Sequence, residues 1–417
     1  MNMRPFREVV PYEKAFSLLM DAVVPVDDVE EVSLDDALNM VCAVDVVSEL
    51  DVPGFDRAAM DGYAVRADDT YGASHMNPVG LRVVGEVFAG EKPSAAVEPG
   101  TCVAIATGAV LPEGASAVVP VEETEMDSPN VVKIKKPVYP GANVSKRGVD
   151  IKRGDVVLSR GSFLSPPRIG VLAALGFERV RVYRRPRVLV VSTGSEVVPQ
   201  GKPLEVGKVY DINRHTVAGV LALNGADVTS RGPVEDSVDE IEKALGDLNT
   251  WDMVVITGGS SVGERDLLVD LFESRGDLLF HGVAVKPGKP TLAALAKNGR
   301  TLMVGMPGYP TSCLSNAYLF LVPAIRKMAH LPPAVQRKVR AKMGERVTST
   351  LGRHQFLTVR LEHDMESGGG DGAVPVAIPA FKESGAITSM ALADGYVEIP
   401  ANVDLLEKGD VVDVVLF

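Results

Sequence analysis

Between Arg187 and about Ala329, the chain alternates short unbroken apolar runs with apolar residues at helical spacing. "RVLVVS" (187–192) predicts a buried strand. "DINRHTVAGVLALNG" then puts Val217, Val220 and Leu221 on one helical face, with Asp211 near the N-cap and Gly225 as a stop. "ADVTS" predicts a short strand, "DSVDEIEKALGDL" an amphipathic helix through Val238, Ile241 and Leu245, and "DMVVIT" (252–257) a third strand. A helix near "LLVDLFES", apolar segments at 278–285, 291–296 and 300–305, and a helix after "PGYP" complete the region. Strands alternating with helices imply a doubly wound, mostly parallel α/β sheet, whose ligands sit at the carboxyl ends of its strands.

The flanks follow a different pattern. Residues 51–146 carry short alternating segments between Gly/Pro turns ("GLRVVGEVF", "GTCVAIATG", "NVVKIKKPV"), which predicts a compact β module. Beyond "HLPPAV" (330–335), alternation in "QFLTVRLEH" and "GDVVDVVLF" predicts a small C-terminal β domain behind a Pro-Pro linker. Composition narrows the function classes. A net charge of -12, with no Lys/Arg-rich stripe, argues against a nucleic-acid surface. Cys42, Cys102 and Cys313 are odd in number and far apart, so neither a disulfide framework nor a zinc site is expected. With no apolar run long enough for a membrane span and no signal-peptide pattern at the N-terminus, the expected location is the cytoplasm.

Chemistry concentrates at the predicted strand ends. "ITGGSSVGERD" (256–266) has the GxxxxG spacing of a P-loop at Gly258 and Gly263, but Glu264 stands where that motif needs lysine. What remains is a loop in which the backbone N–H groups of Gly258, Gly259 and Ser260 can face an anion, beside carboxylates suited to a hard cation such as Mg²⁺. Taken alone, the loop is equally an N-capping turn with solvated acids. The pattern recurs in "VVSTGSE", where Thr193, Gly194, Ser195 and Glu196 again place small residues before an acid. "VAVKPGKPTLAA" supplies positive charge, with Lys286 and Lys289 on a tight Pro-Gly turn. At about 4 Å and an effective dielectric near 20, each would attract a unit negative charge by roughly 4 kcal/mol before desolvation. In "MVGMPGYPTSC", the hydroxyls of Thr311 and Ser312 either cap a helix or touch the anion. "PGFDRAAMDGYAV" carries Asp56 and Asp61, which alone suggest Asx turns. The six histidines show no metal-ligand spacing.

"PGFDRAAMDGYAV", "ATGAVLPEGASAVV", "SKRGVDIKRGD", "LSPPRIGVLAALGFERVRVYRRPRVLVVSTGSE", "GGSSVGERD", "VKPGKP" and "MPGYPTS" occur in the order found in the molybdopterin molybdenumtransferase family, MoeA and the C-terminal half of gephyrin. The chain resembles that family over nearly its whole length. The resemblance implies insertion of molybdate, or the nearly isosteric tungstate, into adenylylated molybdopterin with Mg²⁺-dependent release of AMP. It implies four domains: an α/β molybdopterin-binding domain (1–25 plus 183–330), a small linking domain (26–50 plus 147–182), the inserted β module (51–146) and a C-terminal β-barrel domain (331–417). It also implies a homodimer with the active site between subunits, and it leaves open a handover of substrate from the upstream adenylyltransferase.

Matched position by position, Asp61, Thr107 and Asp150 correspond to the contributions of the β module and its neighbourhood. Glu196, Asp236 and Asp266 correspond to the catalytic and metal-binding acids, and Lys286 and Lys289 to the oxyanion-binding pair. Pro307 and Pro310 would shape the pocket, Ser312 would lie near the pterin or molybdate, and Arg353 and Ser384 would complete an oxyanion site. The chain departs from the family pattern at Ala58, where Ser is frequent, and at Tyr309, where many members have Asn. Two further readings stay open: a non-catalytic, gephyrin-like scaffold that binds partner peptides, and an amidase or phosphatase on a related nucleotide-binding fold.

Overall fold

The computed structural model describes residues 9–258, 267–362, 374–382 and 385–417. The chain divides into two compact units, one formed by residues 31–38 and 42–181, the other by residues 1–30, 39–41 and 182–417.

In the first unit, a six-stranded sheet is built from β1 (Gly62–Val65), β2 (Val79–Val87), β3 (Thr101–Ile105), β4 (Ala117–Pro120), β5 (Thr124–Ser128) and β6 (Val131–Ile134), in the order β4-β1-β3-β2-β6-β5. All neighbours are antiparallel except β2 and β3. Leu81, Cys102, Val119, Val132 and Ile134 bury one side of it. Val87, Val103, Ile105 and Val118 form a second cluster, so the central strands are apolar on both faces.

The second unit opens with helix α1 (Tyr12–Ala22), whose Ala15 and Leu19 enter the core of the α/β domain. Its sheet contains β7 (Arg187–Thr193), β8 (Asp227–Val234), β9 (Met253–Thr257), β10 (Gly276–His281), β12 (Leu292–Ala296) and β13 (Leu302–Met306). The order is β8-β7-β9-β13-β12-β10. The first four are parallel, whereas β12 and β10 run antiparallel and close the edge. Helices α2 (Asn213–Leu223), α3 (Val238–Leu245), α4 (Leu267–Arg275), α5 (Pro310–Asn316) and α6 (Val322–Met328) alternate with the strands. Val188, Val190, Val217 and Leu221 pack in one cluster, and Leu189, Val191, Ile241 and Phe272 in another. Because successive residues of β7 face opposite layers, the run "VLVV" is apolar throughout, as expected of a strand covered on both sides.

The C-terminal part is a closed barrel. β14 (Lys338–Met343), β15 (His354–Glu362), β16 (Val376–Pro379), β17 (Gly395–Ile399) and β18 (Val411–Leu416) pair as β15-β16-β14-β18-β17, and β17 returns to β15. The two-residue strand β11 (Val285–Lys286) of the α/β domain adds to this barrel in parallel with β15, Val285 opposite His354 and Lys286 opposite Gln355. The alternation in "QFLTVRLEH" predicts one wet face, yet His354 through Val359 are all buried. The α/β domain covers the outer side: Tyr12 of α1 stacks on His354 at 4.3 Å, and Phe356 joins the α/β core. Among the described residues, no helix is long and apolar enough to cross a membrane.

At the amino ends of the parallel strands, buried Asp252 accepts hydrogen bonds from Arg184 Nη1 (2.9 Å), Arg300 Nη2 (2.9 Å) and the Arg187 N–H (2.7 Å). Exposed Asp28 accepts from the same two guanidinium groups. The Arg184 hydrogen bond, then that of Arg300, holds the Asp28 carboxyl below its usual range. Removing one member of a buried pair strands its partner, so Asp252→Ala is expected to cost about 3–5 kcal/mol in urea unfolding. Asp28→Ala should cost less than about 1 kcal/mol because solvent screens that pair. The Asp28 contribution is present above the ordinary carboxylate range and is lost as pH falls through its lowered native pKa.

Candidate functional site

The strand register sets one row of loop starts. Ser192, Thr257 and Met306 are aligned across β7, β9 and β13, so Thr193, Gly258 and Pro307 leave the sheet side by side at its carboxyl edge. Gly258 has φ +95°, and a Cβ there would lie 2.3 Å from the Thr193 carbonyl oxygen. A Cβ on Gly308 would lie 3.7 Å from the Gly258 Cα. Small residues are therefore needed where these loops meet. Gly258 is buried, and its N–H, expected to face an anion, instead donates to the Met306 carbonyl at 3.2 Å, as the Gly194 N–H does to that of Val234 at 3.3 Å.

Glu196 follows Gly194 and Ser195 in the β7 loop, with Ser195 and Glu196 exposed. Asp236 is also exposed and follows the end of β8, where Val234 pairs with Thr193. Both acids thus belong to the carboxyl edge. Gly259, Ser260, Asp266 and Ser384 lie outside the described residues.

Antiparallel β12 brings the lysine turn to the same edge. Its first residue, Leu292, pairs with Gly305 near the end of β13, so the preceding segment 286–291 arrives beside Met306 and Pro307. Asn316 of α5 anchors the turn by donating to the Gly288 carbonyl at 2.8 Å and to Thr291 Oγ1 at 2.6 Å. Lys286 and Lys289 are half-buried, and Lys286 Nζ lies 3.5 Å from Thr350 Oγ1 of the barrel. Arg353, also half-buried, belongs to the same barrel segment just before β15.

Capping is not the role of the hydroxyls after "PGYP". Tyr309 is the N-cap of α5 without a side-chain bond, while Thr311 Oγ1 donates to the Ala386 carbonyl of the barrel at 3.0 Å. Ser312 is buried in the first turn beside Pro310, and Pro307 is buried at the strand end. Asp211 lies just before Ile212, the N-cap of α2, and its Oδ1 accepts from the first-turn Arg214 N–H at 3.2 Å. Its buried carboxylate accepts from Ser192 Oγ at 2.5 Å and Arg214 Nε at 2.9 Å, beneath the β7 loop.

Sequence pattern missed Asn213, in the first turn of α2, whose Nδ2 donates to the Gly308 carbonyl at 2.7 Å and so braces the β13 loop. Its Oδ1 and the Thr193 hydroxyl are buried without protein partners among the described residues. A polar residue two positions after an acid, in "DIN", was the available signal. All three cysteines are buried thiols, and burial with nearby Asp211 raises the pKa of Cys313 strongly, which makes it a poor nucleophile.

In the other unit, Asp61 precedes β1 and accepts on Oδ1 from the Thr107 N–H at 2.7 Å and the Thr107 hydroxyl at 3.0 Å. The backbone bond, then the hydroxyl, holds its carboxyl below the usual range. Asp150 is exposed on a turn whose N–H donates to the Val52 carbonyl. Asp56 is a turn acid, accepting from the Arg147 N–H and from Lys146.

The elements define an α/β protein with an additional β unit and a C-terminal barrel. Three family models match in sequence: "MoeA N-terminal region (domain I and II)" over residues 10–176, "Probable molybdopterin binding domain" over 189–327 and "MoeA C-terminal region (domain IV)" over 340–417. The chain is 38% identical over 300 residues to the molybdopterin molybdenumtransferase of Haemophilus influenzae, covering 72% of each chain. It is 34% identical to molybdopterin molybdenumtransferase 2 of Mycobacterium tuberculosis, covering 95% of this chain and 96% of that one. A crystal structure of the molybdopterin biosynthesis MoeA protein from Pyrococcus horikoshii OT3 superposes with a TM-score of 0.81 at 32% identity, covering 98% of this chain and 100% of that one. The chain belongs to the MoeA family of molybdopterin molybdenumtransferases.

Proposed function

We propose that this protein inserts molybdate into adenylylated molybdopterin and releases AMP by hydrolysis. Family membership carries the coarser part, a transferase in molybdenum cofactor biosynthesis. The observation that supports the finer part is the convergence of the Lys286–Lys289 turn on the strand-end row, through the pairing of Leu292 with Gly305. An acidic chain thereby concentrates positive charge where a pyrophosphate and a doubly negative tetrahedron would meet.

In this mechanism the amides of Ser195, Gly259 and Ser260 receive phosphate oxygens, since the Gly194 and Gly258 N–H groups donate to the Val234 and Met306 carbonyls. Lys286 and Lys289 hold the oxyanion beside the dithiolene sulfurs, where proximity replaces a dilute encounter. Arg353 and Ser384 complete the oxyanion contacts. Among the described residues, no group of three acids or histidines is assembled to hold a metal. Exposed Glu196 and Asp236 nevertheless offer hard oxygen donors at the edge, and Mg²⁺ needs only one or two carboxylates besides phosphate oxygens and water. Glu196 and Asp236, with Asp266, would hold it, and it would supply charge neutralisation at the pyrophosphate. An acid not so engaged orients water toward phosphorus; the P–O bond to AMP breaks as the new P–O bond forms. Tungstate, equal in charge and nearly equal in size, fits the same cradle. The proposal includes a homodimer in which Asp61, Thr107 and Asp150 of one subunit complete the site of the other.

Purified protein given adenylylated molybdopterin, Mg²⁺ and molybdate should release AMP, measured chromatographically. No release above a reaction lacking protein would reject the proposal. A groove of about 1440 Å³ gives one observation for the scaffold reading. It runs between α1, α6 and the barrel, lined in part by Tyr12, Phe16, Tyr318, Pro400 and Phe417, and none of the candidate site residues lines it. Peptide capture that persists in the Lys286→Ala protein, without any turnover by the unmodified one, would favour that reading.

A further inference from the structure

Three strands of the first unit end together around Asp61. Gly62 of β1 and Val87 of β2 both pair with Ile105 of β3. Asp61, Phe88 and Thr107 therefore emerge from neighbouring strands at one sheet edge. The Ala106 N–H donates to the Val87 carbonyl, and a Cβ on Gly108 would lie 3.8 Å from the Ala89 Cβ, which confirms that the loops after β2 and β3 touch. Phe88 is 52% exposed although it follows a buried strand end, and Met60, next to Asp61, is 42% exposed. The Phe88 loop is fixed rather than splayed: the Phe88 N–H donates to Glu91 Oε2, and the Glu91 N–H to the Phe88 carbonyl.

Both lone pairs of Asp61 Oδ1 are used by Thr107, so the carboxylate is held in one orientation and Oδ2 makes no hydrogen bond among the described residues. A fixed anionic acceptor and an exposed aromatic ring on the same sheet edge, on either side of β3, match a flat heterocycle that carries adjacent N–H donors and spans the gap. A hydrated cation or a phosphate would gain nothing from Phe88 and Met60. Resting on the molybdopterin reading above, we propose that this edge recognises the 2-amino-4-oxopyrimidine end of the pterin, with Asp61 Oδ2 accepting from its amino group and ring N–H while Phe88 packs on the ring face. Adenine, the other heterocycle of the substrate, presents its amino group between two acceptor nitrogens, so Oδ2 would oppose a lone pair. The edge thus separates the two ends of adenylylated molybdopterin by donor pattern.

The test is a fluorescence titration of the full-length protein with 6-carboxypterin, alongside a titration with AMP. In Asp61→Asn, Thr107 keeps the amide oxygen and leaves NH₂ facing the pterin donors. Its dissociation constant for 6-carboxypterin should rise about tenfold or more, the loss of one charged hydrogen bond. Phe88→Ala should weaken it about fivefold, and Phe88→Trp should restore it. AMP affinity should not change in any variant. The inference is overturned if the unmodified protein does not bind 6-carboxypterin at millimolar concentration, if Asp61→Asn binds it normally, or if AMP affinity falls instead. An unmodified protein that releases AMP while Asp61→Asn retains its pterin affinity defeats this inference alone; absent AMP release defeats the reading beneath it.

Discussion

Lys286→Ala should abolish most molybdate-dependent AMP release, lowering kcat/KM by about two orders of magnitude. The estimate begins with roughly 4 kcal/mol for a unit charge pair at 4 Å in an effective dielectric near 20, reduced to about 2–3 kcal/mol by the cost of removing an ammonium group from water. Position makes that energy available. The Lys286 backbone is fixed by pairing with Gln355 of the barrel, the residue is half-buried, and its Nζ lies 3.5 Å from Thr350 Oγ1. The side chain thus surrenders little further entropy when an anion arrives. Lys286→Arg keeps the charge but replaces a compact ammonium by a planar fork, and should recover only part of the rate. Kinetics at increasing molybdate concentration check this: an alanine variant within about threefold of the unmodified protein would remove Lys286 from the oxyanion site.

Gly258→Ala is the second substitution with a large expected effect. At φ +95° a side chain is already strained by about 1–3 kcal/mol. The added methyl would also sit 2.3 Å from the backbone oxygen of Thr193 and 3.0 Å from its hydroxyl. Neither the carbonyl nor the fully buried strand behind it can yield cheaply, so the β7 and β9 loops must part. Expected are a folded protein with its melting temperature lowered by several degrees and AMP release reduced more than about tenfold. Gly308→Ala is the control, since its nearest neighbour, at 3.7 Å, is in ordinary van der Waals contact. Equal losses in both variants would mean that any substitution in these loops is damaging, and that the Thr193–Gly258 contact has no special place.

Particular residues show what was legible in the chain. "RVLVVS" and "DMVVIT" declare buried strands because both faces are covered, and they appear as Arg187–Thr193 and Met253–Thr257. The acids and lysines at the ends of such runs were visible for the same reason: polar groups begin where the apolar run stops. What failed was any inference needing a contact distant in sequence. Asp211 sits beside the helix start as its position suggests, but a further partner of its carboxylate, Ser192, lies on a strand already passed. Thr311 resembles a capping hydroxyl, and its acceptor is Ala386, 75 residues later. The buried alternation of β15 gave no warning because the surface covering it comes from α1, at the other end of the chain. Glu196 and Asp236 share an edge only through the pairing of Thr193 with Val234, which no local spacing encodes.

The pairing of Val285 and Lys286 with His354 and Gln355 makes the terminal barrel part of the frame on which the lysine turn is hung. Oxyanion preference would then travel with both halves of that seam: exchanging the barrel for that of a relative while leaving every lysine untouched should retune selectivity, and a deletion that shifts the seam by one residue should misdirect the lysine without altering its identity.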